Sequence, residues 1–112
     1  MAKVADIVTK LWQRSNQHKI RWEPTADDYV FLAAIGDSSS VTIAQYRDRN
    51  RIDEVRFRIL DERGRELEDY DTAENENEAI KEKLIEIYAE ARRTALDIDN
   101  HLNELLQELE KE

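Results

Sequence analysis

The chain of 112 residues contains no cysteine and only two glycines. Without cysteine it has no disulfide, no thiolate nucleophile and no cysteine-bound zinc, and this composition fits a reducing compartment. Two glycines are too few for a glycine-rich phosphate-binding loop. These absences exclude several classes of enzyme.

Long apolar segments are absent as well. The longest uninterrupted apolar run covers residues 29–35, whereas a membrane-spanning helix needs about 20 such residues. The N-terminal residues do not combine a basic region with an apolar stretch, so we expect no signal peptide. The sequence therefore predicts a cytoplasmic protein without a membrane partner.

Acidic residues dominate the charge, and the net charge of -9 is unevenly distributed. Residues 1–60 carry 10 basic and 8 acidic side chains, whereas residues 61–112 carry 7 basic and 18 acidic ones. An acidic surface repels phosphate backbones, so nucleic acid is not an expected partner and a basic partner is favoured. Hydrophobic residues make up 40% of the chain, which is enough for the core of a single domain over residues 1–112.

Two changes of hydrophobic period predict an α+β fold. Apolar residues three and four apart indicate an amphipathic N-terminal helix at about 2–15. Alternation then begins at Ile20 and Trp22 and indicates a sheet over about 18–71. Because the connections are too short for helical crossovers, we expect a meander of four to five antiparallel strands.

The predicted sheet has an inner and an outer face. We expect the inner face to form the core from Phe31, Ala33, Ile35, Val41, Ile43, Val55, Phe57, Ile59 and Leu67. A bulged turn with Gly64 in a left-handed conformation would pair Ile59 with Leu67 and Arg58 with Glu68. The outer face combines apolar residues with Arg56 and Tyr70, so either it is a contact surface or the N-terminal helix covers it.

The C-terminal segment has the strongest periodic pattern and predicts a long helix at about 74–111. Two apolar series with a period of seven form a seam, which consists of Leu84, Tyr88, Ala91, Ala95, Ile98, Leu102, Leu105 and Leu109. A helix of this length is longer than the domain, so the seam must be buried, either against the same helix of a second subunit or against the short N-terminal helix. We expect the first arrangement, a homodimer interface. The alternative is a break near Asp97–His101, after which the tail would fold back.

Candidate catalytic or metal-binding groups are sparse. His101 can share a helix face with Asp97 and Glu104, but this single weak pattern is more typical of solvated side chains than of a metal site. His18 has no assigned role, and the arginines between 47 and 65 alternate with acids that would neutralise them. We therefore predict no catalytic residue, no cofactor and no metal.

The leading hypothesis for function is a non-enzymatic protein–protein interaction module or scaffold that self-associates through its C-terminal helix. One alternative is an acidic inhibitor or immunity-type protein that masks a basic partner. The other is a small-ligand-binding protein, which would need a concave site with converging polar groups.

Overall fold

The computed structural model describes residues 2–111 of the chain and shows three helices and five strands. The helices are α1 (Ala2–Asn16), α2 (Glu78–Ala95) and α3 (Ile98–Glu110). The strands are β1 (Glu23–Pro24), β2 (Val30–Ile35), β3 (Ser39–Arg47), β4 (Asp53–Asp61) and β5 (Glu66–Asp71). A 3-10 turn, Thr72–Glu74, connects β5 to α2. This architecture confirms the predicted α+β class.

The five strands form one antiparallel meander in the order β1-β2-β3-β4-β5. Gly36 in the β2–β3 turn and Gly64 in the β4–β5 turn adopt the left-handed backbone conformation, with φ of 66° and 80°, and glycine takes this conformation without steric cost. The left-handed Gly64 was predicted. The alternation that begins at Ile20 predicted a longer first strand. In the structure only Glu23 and Pro24 pair with β2.

The inner face of the sheet and the helices α1 and α2 share one hydrophobic core. Its buried residues are Val4, Val8, Leu11, Trp22, Phe31, Ala33, Val41, Ile43, Val55, Phe57, Ile80, Leu84, Ile87, Tyr88 and Ala91. The sequence predicted six of the sheet residues in this set. Of the other three, Ile59 is half-buried, while Ile35 and Leu67 are exposed.

Two tryptophans link α1 to its neighbours. The indole nitrogen of Trp12 donates a hydrogen bond to Glu86 of α2 at 2.7 Å. The indole nitrogen of Trp22 donates to the hydroxyl of Ser15 at 3.0 Å, and both of these residues are buried. Because α1 contributes to the core on the inner face of the sheet, it does not cover the outer face. That alternative from the sequence is therefore excluded.

The pairing of β4 with β5 differs from the predicted register. A bulge at Ile59 and Leu60 places Ile59 opposite Glu68 and leaves Leu67 without a direct cross-strand partner. The predicted pairs Ile59–Leu67 and Arg58–Glu68 are therefore wrong. A shift of one residue exchanges the two faces of a strand, so the core side of β5 carries Tyr70 instead of Leu67.

The side chain of Asp69 explains this shift. The predicted register would place Asp69 opposite Phe57, inside the core, where an unpaired carboxylate is strongly unfavourable. The observed register places Tyr70 opposite Phe57 and Asp69 opposite Arg58 on the outer face. The bulge therefore buries an aromatic ring and leaves the acid beside arginines.

The C-terminal segment is divided into two helices rather than one. Helix α2 ends at Ala95, and Asp97 adopts a left-handed conformation with φ of 53° before α3 begins at Ile98. This conformation cannot continue a right-handed helix. The break lies in the segment Asp97–His101, where the sequence predicted it as the alternative to a continuous helix. Every residue of α3 after Ile98 is exposed. In residues 2–111 no helix combines the length and apolar character of a membrane span.

Candidate functional site

The break at Asp97 divides the eight-residue seam into two parts. Leu84, Tyr88 and Ala91 are buried in the protein's own core, and Ala95 packs against that core. In this arrangement these residues stabilise the fold and present little surface to a second chain. Ile98 is half-buried at the start of α3, and the last three seam residues are exposed.

Helix α3 carries an unpartnered stripe of four leucines. The members of this leucine stripe are Leu102, Leu105, Leu106 and Leu109, with exposed fractions between 53% and 65%. They are spaced three, four and seven residues apart, so they lie on one face of the helix. Leu106 was not in the predicted seam, although its spacing from Leu102 and Leu109 places it on the same face. Exposed apolar stripes of this kind are typical of contact surfaces.

A second apolar surface lies beside α1. The α1 groove is a cavity of about 580 Å³, and its apolar walls are formed by Ile7, Leu11, Ile20, Ile35, Val41 and Ile59. Helix α1 forms one wall, and the ends of β2, β3 and β4 form the other. The sequence did not reveal this groove, because its residues are far apart in the chain.

Basic side chains lie at the edge of the α1 groove. Lys10 and Arg14 are one helical turn apart on α1, and Asp6 precedes them by one turn. In the described part of the chain, neither Lys10 nor Arg14 has a carboxylate oxygen within 4.0 Å. The groove therefore has apolar walls and two cations that form no ion pair within residues 2–111.

The arginines of the outer sheet face are arranged differently. Arg56 forms a two-pronged hydrogen bond with Asp69, with its Nε donating at 2.8 Å. Arg58 lies 3.3 Å from Glu66. The sequence predicted that acids would neutralise these arginines. The acids that do so here, Asp69 and Glu66, lie on β5 and not among the acids of residues 47–65. The bidentate contact lowers the pKa of Asp69.

A larger cavity of about 850 Å³ lies on the same outer face. Its wall includes Tyr46, whose hydroxyl donates to the Asp71 carboxylate at 2.6 Å. Burial and this hydrogen bond raise the pKa of Tyr46 above its usual value. Tyr46, Arg56 and Asp71 already form hydrogen bonds with one another or with their neighbours. Arg58 also lines this cavity, and among the described residues its buried Nε has no hydrogen-bond partner.

The two histidines belong neither to the leucine stripe nor to the lining of the α1 groove. His18 Nδ1 is 2.9 Å from Glu90 of α2, so it links the end of α1 to that helix. His101 lies 3.9 Å from Glu104, while the Asp97 carboxylate accepts hydrogen bonds from Asn100. Among residues 2–111 no three potential ligands are gathered in a metal-binding arrangement.

Comparison with known proteins finds no family model, no curated protein and no solved structure that matches the chain. The candidate site therefore rests on the two apolar surfaces, the leucine stripe and the α1 groove.

Proposed function

We propose that the protein is a non-enzymatic interaction module that self-associates through the leucine stripe of α3. The observation that carries this proposal is the stripe itself, because four neighbouring leucines remain more than half exposed. Burial of apolar surface stabilises an interface by about 25 cal/mol per Å² before the costs of association. The absence of cysteine and the acidic charge further support a cytoplasmic protein that does not bind nucleic acid.

The shape of the protein supports the same proposal. Its accessible surface is 8235 Å², about 1,800 Å² more than the roughly 6,400 Å² expected for a compact folded chain of this mass. The radius of gyration is 15.5 Å, compared with about 13 Å for a compact domain of this length. The projecting α3 accounts for this extension, and its apolar side is available to a second chain.

Leu105→Asp tests the proposal without disturbing the core. Leu105 is 57% exposed, so the substitution leaves the monomer folded while it places a charge in the proposed interface. We expect the variant to sediment as a monomer of 13.2 kDa at concentrations where the wild type is associated. An unchanged mass for Leu105→Asp would exclude the leucine stripe as the interface.

The matched control is Leu67→Asp. Leu67 is also 57% exposed but lies on β5, away from α3. The Leu67→Asp substitution introduces the same charge at a leucine of the same exposure. Because Leu67 lies outside the proposed interface, its effect on self-association should be negligible. Equal dissociation by both variants would indicate a general charge effect instead of a specific interface.

The acidic residues of α3 support a second candidate function, the masking of a basic partner. Asp99, Glu104, Glu108 and Glu110 lie on this helix, which has no lysine or arginine. Binding of this kind would weaken sharply as salt shortens the screening length to about 8 Å. A Glu104→Gln, Glu108→Gln double variant would then bind its partner at least about tenfold more weakly, whereas the module hypothesis expects little change.

A further inference from the structure

We infer that the leucine stripe of one chain docks into the α1 groove of a second copy, which contributes its own α3 in return. This inference rests on the proposed self-association and identifies its receptor. The alternative receptor is the α3 of the other chain, with the two leucine stripes packed together. The size and charge of the α1 groove favour the first arrangement.

The lengths of the two surfaces agree. The stripe extends from Leu102 to Leu109, and the α1 wall of the groove extends from Asp6 to Arg14. These spans cover seven and eight helical steps, or about 10 Å and 12 Å. One helix face can therefore fill most of the length of the groove, with the four leucines directed at the apolar walls.

The charges of the two surfaces are complementary. Helix α3 carries four acidic residues and no lysine or arginine, whereas the groove edge carries Lys10 and Arg14 against the single Asp6. Glu108 and Glu110 flank the leucine stripe on opposite sides, because they lie one residue before and after Leu109. Two stripes packed against each other would instead bring these acids together, which is unfavourable.

The outer face of the sheet is a poorer receptor, although it also contains arginines. Arg56 already binds Asp69, and Arg47 lies 3.2 Å from Asp53. An acidic helix would have to displace these carboxylates before it gained the same contacts. The cations of the α1 groove have no such competitor among the described residues, so they provide the better match.

Ile7→Glu tests the groove, and Ile85→Glu is its matched control. Both isoleucines lie on helices and are 42% exposed, but only Ile7 lines the groove. We expect Ile7→Glu to raise the dissociation constant at least about tenfold in sedimentation equilibrium, and Ile85→Glu to leave it unchanged. Circular dichroism of each variant verifies that the fold is intact.

A mixing experiment separates docking in the groove from pairing of the two stripes. Ile7→Glu retains an intact stripe, and Leu105→Asp retains an intact groove. If the stripe docks in the groove, the two variants should form a mixed dimer through one intact contact, detectable when one chain is labelled at its N-terminus. If two stripes pair, the Leu105→Asp chain cannot join any dimer, and the absence of the mixed species would overturn the inference.

Charge reversal provides a second test that does not depend on the folding of Ile7→Glu. The double variant Lys10→Glu, Arg14→Glu should associate more weakly than the wild type. Mixing it with the double variant Glu108→Lys, Glu110→Lys should restore association. Wild-type dimerisation that is sensitive to Leu105→Asp but unaffected by all groove variants would overturn the groove as receptor and leave the proposed function standing. A monomeric wild type would overturn both.

Discussion

The ammonium group of Lys81 on α2 lies 2.6 Å from the carboxylate of Glu54 on β4. Glu54 is 4% exposed, and it also lies 3.3 Å from the hydroxyl of Thr72. That hydroxyl accepts a hydrogen bond from the backbone nitrogen of Val55 at 2.9 Å. The pair therefore fixes the first turn of α2 relative to the start of β4.

Loss of Lys81 should destabilise the fold strongly. Lys81→Met leaves a buried carboxylate without its cation, and this costs about 3 kcal/mol of unfolding free energy. Urea denaturation measures the loss. The double variant Lys81→Met, Glu54→Leu removes both charges and should recover most of the lost stability, and a double variant as unstable as the sum of the single ones would contradict this interpretation.

The Arg56–Asp69 contact should make stability sensitive to acid. The pKa of Asp69 is lowered from 3.8 by its hydrogen bonds to Arg56, so the unfolded chain takes up this proton at a higher pH than the native chain does. The stability that the Arg56–Asp69 contact provides is fully present at pH values above the pKa of Asp69 in the unfolded chain. It is lost as the pH falls through the pKa of Asp69 in the native protein.

Comparison of Asp69→Asn with the wild type tests this pH dependence. The stability difference between the two proteins should be largest near neutral pH and should shrink as the pH falls below about 4. Asp37→Asn, in the exposed β2–β3 turn, is the control for the loss of one negative charge. A difference for Asp69→Asn that stays constant with pH would contradict the assignment.

Three tyrosines should ionise later in the native protein than in the unfolded chain. Burial raises the pKa values of Tyr46, Tyr70 and Tyr88 above 10.0. The stability that accompanies these shifts is present below pH 10 and is lost as the pH rises toward the native pKa values. Tyrosinate absorbance should therefore lag in the native protein and coincide with alkaline unfolding, and identical native and denatured titrations would refute the prediction.

Ser15 should be required as an acceptor for the Trp22 indole. Ser15→Ala leaves the buried indole nitrogen without its hydrogen bond, which costs about 1 to 3 kcal/mol. Thermal denaturation measures this loss. Trp22→Phe removes the donor as well, so Ser15→Ala should be nearly neutral in that background. A cost that persists in the Trp22→Phe protein would show that Ser15 stabilises the helix end by another route.

The order of elements was predictable because each element has its own hydrophobic period. The alternation of β3 and β4 identified the inner face, and Gly64 identified the turn that follows β4. The exposure of Leu67 was not predictable in the same way. Its position depends on the bulge that keeps Asp69 out of the core, and this bulge results from packing across strands rather than from the local sequence.

The candidate site was only partly visible in the sequence. The heptad spacing identified Leu102, Leu105 and Leu109 of the leucine stripe. It also included Leu84, which is buried in the core, because exposed and buried apolar residues on a helix give the same periodic pattern. The α1 groove could not be predicted, since it forms only when Ile7 and Ile35 meet from distant parts of the chain.

The mass of the wild-type protein in solution decides whether the chain self-associates. We predict that sedimentation equilibrium at tens of micromolar gives a species of about 26 kDa, because two chains bury each other's leucine stripe at an interface stable in this range. A single species of 13.2 kDa throughout this concentration range would show that the leucine stripe does not mediate self-association.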